Sequence, residues 1–227
     1  MIYAILILLE ILLPVILLIY DKKRSYKAAL LMKTLSSLVF VAMGFYAAAQ
    51  GTPGSFGTLV LSGLCLGALG DFLLSLRHCL HEKISVFLIG GSVFFIGHIC
   101  YLIALITELS GNAPGLLIPG ILTAVFAAAV LILLLFRRIR IGKTMSFLCG
   151  GYLTAVTSVA VFGIFRFASQ PPAAGRLLFM IGGILFAASD TILVDNMFAK
   201  KHSQKKACAL IALYYTGQLL IAMSLAF

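Results

Sequence analysis

Long apolar stretches alternate along the chain with short polar or Gly- and Pro-rich segments. The eight apolar stretches cover residues 2–20, 27–49, 58–76, 84–107, 115–136, 144–165, 176–198 and 207–226. Each is close to the ~20 residues that an α-helix needs to cross the hydrocarbon core of a bilayer. The pattern predicts an all-α integral membrane protein, a bundle of eight transmembrane helices that forms a single domain over residues 1–227.

Composition supports lipid as the solvent of this chain. Of the 227 residues, 62% are hydrophobic and 11% are charged, whereas soluble domains carry about 25% charged residues. So little polar surface cannot cover a water-soluble globule of this size. The five cysteines are odd in number and lie mostly within or beside apolar stretches, so we expect small buried thiols and no disulfide framework.

The basic residues predict an orientation in the membrane. Of the 17 Lys and Arg residues, all but Arg166 and Arg176 lie in or near the loops after the first, third, fifth and seventh stretches. Positive loops favour the cytoplasmic face, so we expect both chain termini outside. The first stretch lacks a basic leader and is followed by DKKR, which predicts a retained helix. The basic clusters behind the net charge of +10 therefore set the topology, or they contact lipid headgroups or a partner. We expect no nucleic-acid binding.

The two halves of the chain resemble each other when they are shifted by 119 positions. LGALGDFLL in the third stretch aligns with LFAASDTIL in the seventh, and KTLSSLVFVAMG in the second aligns with YLTAVTSVAVFG in the sixth. Each half would contain four spans. The alignment predicts two parallel four-helix repeats.

Several polar side chains lie inside the apolar stretches, where burial in lipid costs several kcal/mol. Seven positions qualify: Glu10, Lys33, Asp71, His98, Tyr101, Asp190 and Gln218. Helical spacing places most of them in the half of the bundle nearer the basic loops. Such residues mark a functional site, or they are polar bridges that hold helices together.

Two carboxylates are the strongest candidates for chemistry. Asp71 follows Gly63 and Gly67 on one helix face, and Asp190 follows Gly183 and Ala187 in a similar way. Small residues let a neighbouring helix approach closely. Two carboxylates buried together do not both ionise freely, so one is available as a protonated acid near neutral pH.

Other polar residues extend this hypothesis. His98 and Tyr101 are three residues apart on one helix face, where His98 either orients water or is a hydrogen-bonded structural residue. Tyr215 and Gln218 bind substrate or bridge helices, and Lys33 either reaches the headgroups or pairs with an Asp.

Motifs for other chemistries are absent from the sequence. It contains no G-x-S-x-G, Walker, C-x-x-C or H-E-x-x-H pattern,. His78, Cys79 and His81 have ligand-like spacing but lack a third firm partner. We therefore expect neither a metal nor another cofactor, and we favour a metal-free acid/base site.

The stretches around these residues resemble the YhhN-type lysoplasmalogenase family of multi-pass membrane proteins. The similar stretches, in family order, are LMKTLSSL, LGALGDFLL, FLIGGSVFFIGHICYLIAL, GGILFAASDTILV and YYTGQLLIA. The resemblance implies hydrolysis of the vinyl-ether bond of lysoplasmenyl-ethanolamine or -choline to a fatty aldehyde and glycerophospho-ethanolamine or -choline. It implies that Asp71, Asp190 and His98 are catalytic, and that substrate contacts come from Lys33, Tyr101, Ser189, Tyr215 and Gln218.

The resemblance also implies a lysophospholipid substrate in the bilayer and a bacterial cytoplasmic membrane as the location. Other functions are compatible with the residues alone. Paired intramembrane carboxylates also serve proton-coupled or lipid-handling transporters. A receptor or assembly factor would use the same polar residues only to hold its helices together. The sequence does not specify an oligomeric state.

Overall fold

The computed structural model describes residues 1–23, 25–51, 54–80, 83–139, 141–199 and 203–227. Within these residues it is all-helical and contains no strand. The helices are α1 (Ile2–Lys22), α2 (Tyr26–Gln50), α3 (Gly54–Cys79), α4 (Ile84–Asn112), α5 (Leu117–Phe136), α6 (Lys143–Ala168), α7 (Ala174–Met197) and α8 (Gln204–Met223). Short 3₁₀ turns occupy Pro114–Leu116 and Ser224–Ala226.

Among the described residues, eight helical segments are long and apolar enough to cross a membrane. The predicted fold class, an all-α bundle of eight transmembrane helices, is confirmed. This is a multi-pass membrane protein. Which face of the membrane holds the termini stays a prediction.

Some helices extend beyond the predicted apolar stretches. Helix α3 begins at Gly54, four residues before the predicted start at 58, and α4 continues to Asn112, past the predicted end at 107. Hydropathy marks only the part of a helix that lies in hydrocarbon. The backbone hydrogen bonds continue into polar residues, as the bond from the Ala113 amide to the Leu109 carbonyl shows.

Helices α2 and α6 each pack against three other helices. Helix α2 contacts α1, α3 and α8, whereas α6 contacts α4, α5 and α7. Helix α5 packs mainly on α6 and exposes much of Ile118, Leu122 and Phe126. In a membrane these apolar side chains face lipid. The polar residues of the site lie on six helices, α2 to α4 and α6 to α8.

Small residues allow the closest helix pairs, α3 with α4 and α7 with α8. A Cβ atom on Gly97 would lie 3.2 Å from the carbonyl oxygen of Gly63. A Cβ atom on Gly217 would lie 2.9 Å from the carbonyl oxygen of Gly182. Gly63 and Gly182 are equivalent under the shift of 119 positions, and Gly97 and Gly217 are offset by one more. These matching contacts support the predicted repeats, which remain a prediction.

Two apolar clusters fill the bundle. The larger one is rich in aromatic side chains and includes Phe94, Phe179, Phe186 and Tyr214. The smaller one joins α5, α6 and α7 near the basic loops and includes Leu135, Leu153 and Val194. Buried aromatic area contributes most to such packing. The polar groups of the site are embedded beside the larger cluster.

Candidate active site

Asp71 on α3 is buried, with 2% of its surface exposed. Its Oδ1 lies 3.0 Å from the Nζ of Lys33 on α2. Its Oδ2 accepts hydrogen bonds from the Ser37 hydroxyl at 2.6 Å and from the Tyr214 hydroxyl at 2.7 Å. One cation and two hydroxyl donors satisfy a carboxylate better than a neutral acid. We therefore assign Asp71 as the ionised partner of Lys33.

A chain of hydrogen bonds continues from Asp71 deeper into the bundle. The Gln218 amide nitrogen donates to the Tyr214 oxygen at 3.4 Å, and the Tyr101 hydroxyl donates to the Gln218 carbonyl oxygen at 3.1 Å. Gly67 provides the space, since a Cβ atom there would lie 3.1 Å from the Gln218 amide nitrogen. Tyr101 and Gln218 are thus connected to Asp71 through Tyr214.

Asp190 on α7 is equally buried, with 3% of its surface exposed, but its surroundings differ. Its Oδ2 accepts a hydrogen bond from the hydroxyl of Tyr152 on α6. The Nε2 atom of His98 lies 3.9 Å from the same oxygen. No Lys or Arg among the described residues forms an ion pair with Asp190. A buried carboxyl group without a cation favours its neutral, protonated form.

The hydrogen bond of His98 identifies its tautomer. The His98 Nδ1 atom lies 2.9 Å from the carbonyl oxygen of Phe94. A carbonyl oxygen only accepts hydrogen bonds, so Nδ1 carries the proton and donates it. The Nε2 atom then presents a lone pair, and it has no hydrogen-bond partner among the described residues. His98 therefore offers a proton acceptor beside Asp190.

An aromatic ring contacts both sets of polar residues. The Phe186 centroid lies 4.7 Å from that of His98, near Asp190, and 5.2 Å from that of Tyr214, which binds Asp71. The structure brings the predicted residues into one buried region but divides them between two hydrogen-bond groups, which we call the Asp71 group and the Asp190 group.

The sequence analysis missed Tyr152, Ser37 and the contact of Tyr214 with Asp71. Tyr152 stands at the position of Lys33 when the chain is shifted by 119 residues. Each of these two side chains binds the Asp of its own half. The repeat alignment therefore contained the signal for Tyr152. Ser37 lies one helical turn after Lys33, but serine in a helix is common and does not identify a site.

Three other candidate residues lie outside the two groups. The Ser189 hydroxyl donates to the carbonyl of Leu210 at 2.9 Å, and the Tyr215 hydroxyl donates to the carbonyl of Lys33 at 3.4 Å. Both bonds link neighbouring helices, and substrate contact by Ser189 or Tyr215 stays a prediction. Glu10 on α1 is buried, and neither of its carboxyl oxygens has a hydrogen-bond partner among the described residues.

Of the three residues with ligand-like spacing, His78 and Cys79 end helix α3. His81 itself lies outside the described residues. Among the residues that the structure describes, no group of three or more His, Cys, Asp and Glu side chains is arranged to hold a metal ion. The oxygens of Asp71 and Asp190 contact Lys33, hydroxyl groups and His98 instead.

The sequence profile of the YhhN family matches residues 28–225, nearly the whole chain. The chain belongs to the YhhN family. The region that matches the YhhN profile contains both the Asp71 group and the Asp190 group, whereas Glu10 precedes it. Comparison with curated proteins and with solved structures finds no match. The family resemblance predicted from the sequence is thus confirmed, and the reaction of this YhhN protein is argued from its site.

Proposed function

We propose that this YhhN protein is a hydrolase that cleaves the vinyl-ether bond of lysoplasmalogens. The products are a fatty aldehyde and glycerophospho-ethanolamine or -choline. The observation that carries the proposal is Asp190, a buried carboxyl group that lies 3.9 Å from Nε2 of His98. Among the described residues, Asp190 has no Lys or Arg partner and this Nε2 has no hydrogen-bond partner. Family membership is consistent with this activity.

Vinyl ethers break down through transfer of a proton to carbon. In the first step the Asp190 carboxyl group gives its proton to the alkenyl carbon farther from the ether oxygen. The electron pair of the double bond forms the new C–H bond, and the carbon next to oxygen becomes an oxocarbenium ion. A positioned protonated acid in a site shielded from water suits this step.

Water captures the cation in the second step. The oxygen of the water molecule bonds to the cationic carbon, and His98 Nε2 accepts a proton from that water. The product of this step is a hemiacetal. Breakdown of the hemiacetal releases the aldehyde and leaves a hydroxyl group on the glycerol. The proton on His98 returns to Asp190, which lies beside it, and the acid is restored. The contact between Nδ1 and the Phe94 carbonyl keeps the imidazole in the required orientation.

The Asp71 group supplies fixed charge and shape. Its carboxylate is ionised, so its field favours the transient cation. Lys33 holds this charge in place, and its ammonium group is therefore already balanced by Asp71. Tyr101 and Gln218 line the deeper end of the same network. We propose that the residues of the Asp71 group position the substrate and form part of the wall around its alkenyl chain.

The proposed substrate is a membrane lipid, which suits a protein with eight membrane-spanning helices. A single-chain lipid presents its vinyl ether just below the headgroups. The Asp190 group lies near that depth, because Asp190 is seven residues, roughly 10 Å, from the end of α7,. We propose the cytoplasmic membrane of a bacterium as its location.

The test is aldehyde release from 1-alkenyl lysophosphoethanolamine by the purified protein in detergent, with a chelator present. We expect Asp190→Asn to lower kcat by about 10²- to 10⁴-fold, the usual contribution of a general acid. The matched control, Asp21→Asn, changes an exposed carboxylate at the end of α1 and should leave the rate unchanged. Well-folded wild-type protein that releases no aldehyde but carries lipid-dependent proton flux in liposomes would instead indicate a transporter.

A further inference from the structure

A cleft of about 240 Å³ opens between α5 and α7 at the end of the bundle that carries the basic loops. Its deeper wall is apolar and includes Leu131, Leu134 and Ile192. Arg138 and Asp195 line it near the helix ends, since Arg138 lies two residues past the end of α5 and Asp195 lies two residues before the end of α7. The cleft thus combines an apolar wall with one positive and one negative side chain.

The two charges are available to a ligand. Arg138 is exposed and forms no ion pair with any described residue. Asp195 contacts the Lys206 ammonium at 2.5 Å, but 26% of the Asp195 side chain and 41% of the Lys206 side chain are exposed. Exposed ion pairs of this kind contribute little free energy. An ammonium group of a ligand can therefore replace that of Lys206 at small cost.

The spacing between this cleft and the Asp190 group matches a lysophospholipid. Asp195 lies five residues beyond Asp190, which is roughly 7.5 Å along the helix axis and about 140° around it, so the two carboxyl groups lie roughly 12 Å apart. In an ethanolamine lysoplasmalogen the amine nitrogen and the alkenyl carbon that accepts the proton are separated by the phosphate and the glycerol carbons. That separation is roughly 13 Å in an extended chain, from ordinary bond lengths.

We propose that this cleft binds the zwitterionic phospho-amine headgroup of a single-chain lipid. Arg138 contacts the phosphate and Asp195 contacts the amine, while the apolar wall holds the first part of the chain. The charge pattern of the cleft complements this headgroup, and Lys33, which pairs with Asp71, is not required for it. As the headgroup subsite of the lipid cleaved at Asp190, the inference rests on the proposed function.

The first test measures binding of 1-alkyl lysophosphoethanolamine, whose saturated ether cannot be cleaved, to the full chain by isothermal titration in detergent. Loss of one charge-assisted contact should raise Kd about tenfold in Arg138→Gln. The matched control is Arg137→Gln, which removes the adjacent exposed arginine that does not line the cleft. Equal Kd values for the two variants would overturn the headgroup subsite.

A second arm separates the two charges. Asp195→Asn should weaken binding of the ethanolamine lipid severalfold and should not weaken binding of 1-alkyl glycerol 3-phosphate, which lacks the amine. Equal weakening of both lipids would refute the role of Asp195. Because the ligand is not cleaved, these results are independent of aldehyde release. Arg138-dependent binding without aldehyde release would retain the headgroup site and reject the reaction.

Discussion

The variant Tyr152→Lys tests whether Asp190 is the acid, because it copies the Lys–Asp pair found in the other half of the molecule. Lys33 holds Asp71 as a carboxylate at 3.0 Å, and Tyr152 occupies the corresponding place beside Asp190. A lysine at 152 should form a second Lys–Asp pair. Tyr152 is only partly buried, as Lys33 is, so the longer lysine side chain has space beside Asp190.

The expected loss of activity is worked from the distance between Lys33 and Asp71. Two unit charges at the 3.0 Å of Lys33 and Asp71 attract by about 5 kcal/mol at an effective dielectric constant of ~20. Even after part of this is lost to desolvation, Asp190 would be ionised in nearly every molecule. An ionised Asp190 has no proton to give, so kcat for aldehyde release should fall at least ~100-fold.

The matched control is Tyr152→Phe, which keeps the ring and removes only the hydroxyl donor. Loss of that one hydrogen bond is worth about 1 kcal/mol, roughly fivefold in rate. Initial rates of aldehyde release and the melting temperature in detergent are measured for both variants. If two folded variants show equal rates, the proton of Asp190 does not drive the reaction, and the assignment of Asp190 as the acid is refuted.

Two further predictions concern the framework of the site. Asp71→Asn leaves the Lys33 ammonium group without its partner and should lower stability by about 1–3 kcal/mol as well as kcat; adding Lys33→Met should restore the melting temperature but not the turnover. Gly182→Ala places a Cβ atom 2.7 Å from the carbonyl oxygen of Gly217, so we expect a loss of about 1–3 kcal/mol in thermal denaturation. Gly91→Ala meets nothing within 4 Å and should not lower the melting temperature; equal effects of the two alanines would contradict the close approach of α7 and α8.

The helices were predictable because membrane insertion depends on the composition of each segment by itself. A run of ~20 apolar residues must form a helix in lipid, where every backbone polar group needs a partner within the segment. The polar residues stood out for the same reason, since Asp71, His98 and Asp190 interrupt otherwise apolar stretches. The family was recognisable from the short motifs around them and is confirmed by the match over residues 28–225.

The partners of these residues depended on tertiary structure. The sequence suggested that Asp71 and Asp190 act as one pair. In the bundle, however, Asp71 contacts Lys33 and Tyr214, whereas Asp190 contacts Tyr152. Hydropathy does not fix the rotation of a helix about its own axis. That rotation is decided by side-chain packing between helices distant in sequence.

The chain by itself therefore determined the eight spans, the buried polar positions and the family. Only the packed bundle decided which carboxylate is paired with a cation and which lies beside a histidine lone pair. The contact between Tyr101 and Gly63 illustrates the reason, because the ring fits only where the facing residue has no side chain. Contacts of this kind set the register of α3 against α4, and packing between helices distant in sequence likewise places His98 Nε2 3.9 Å from Asp190.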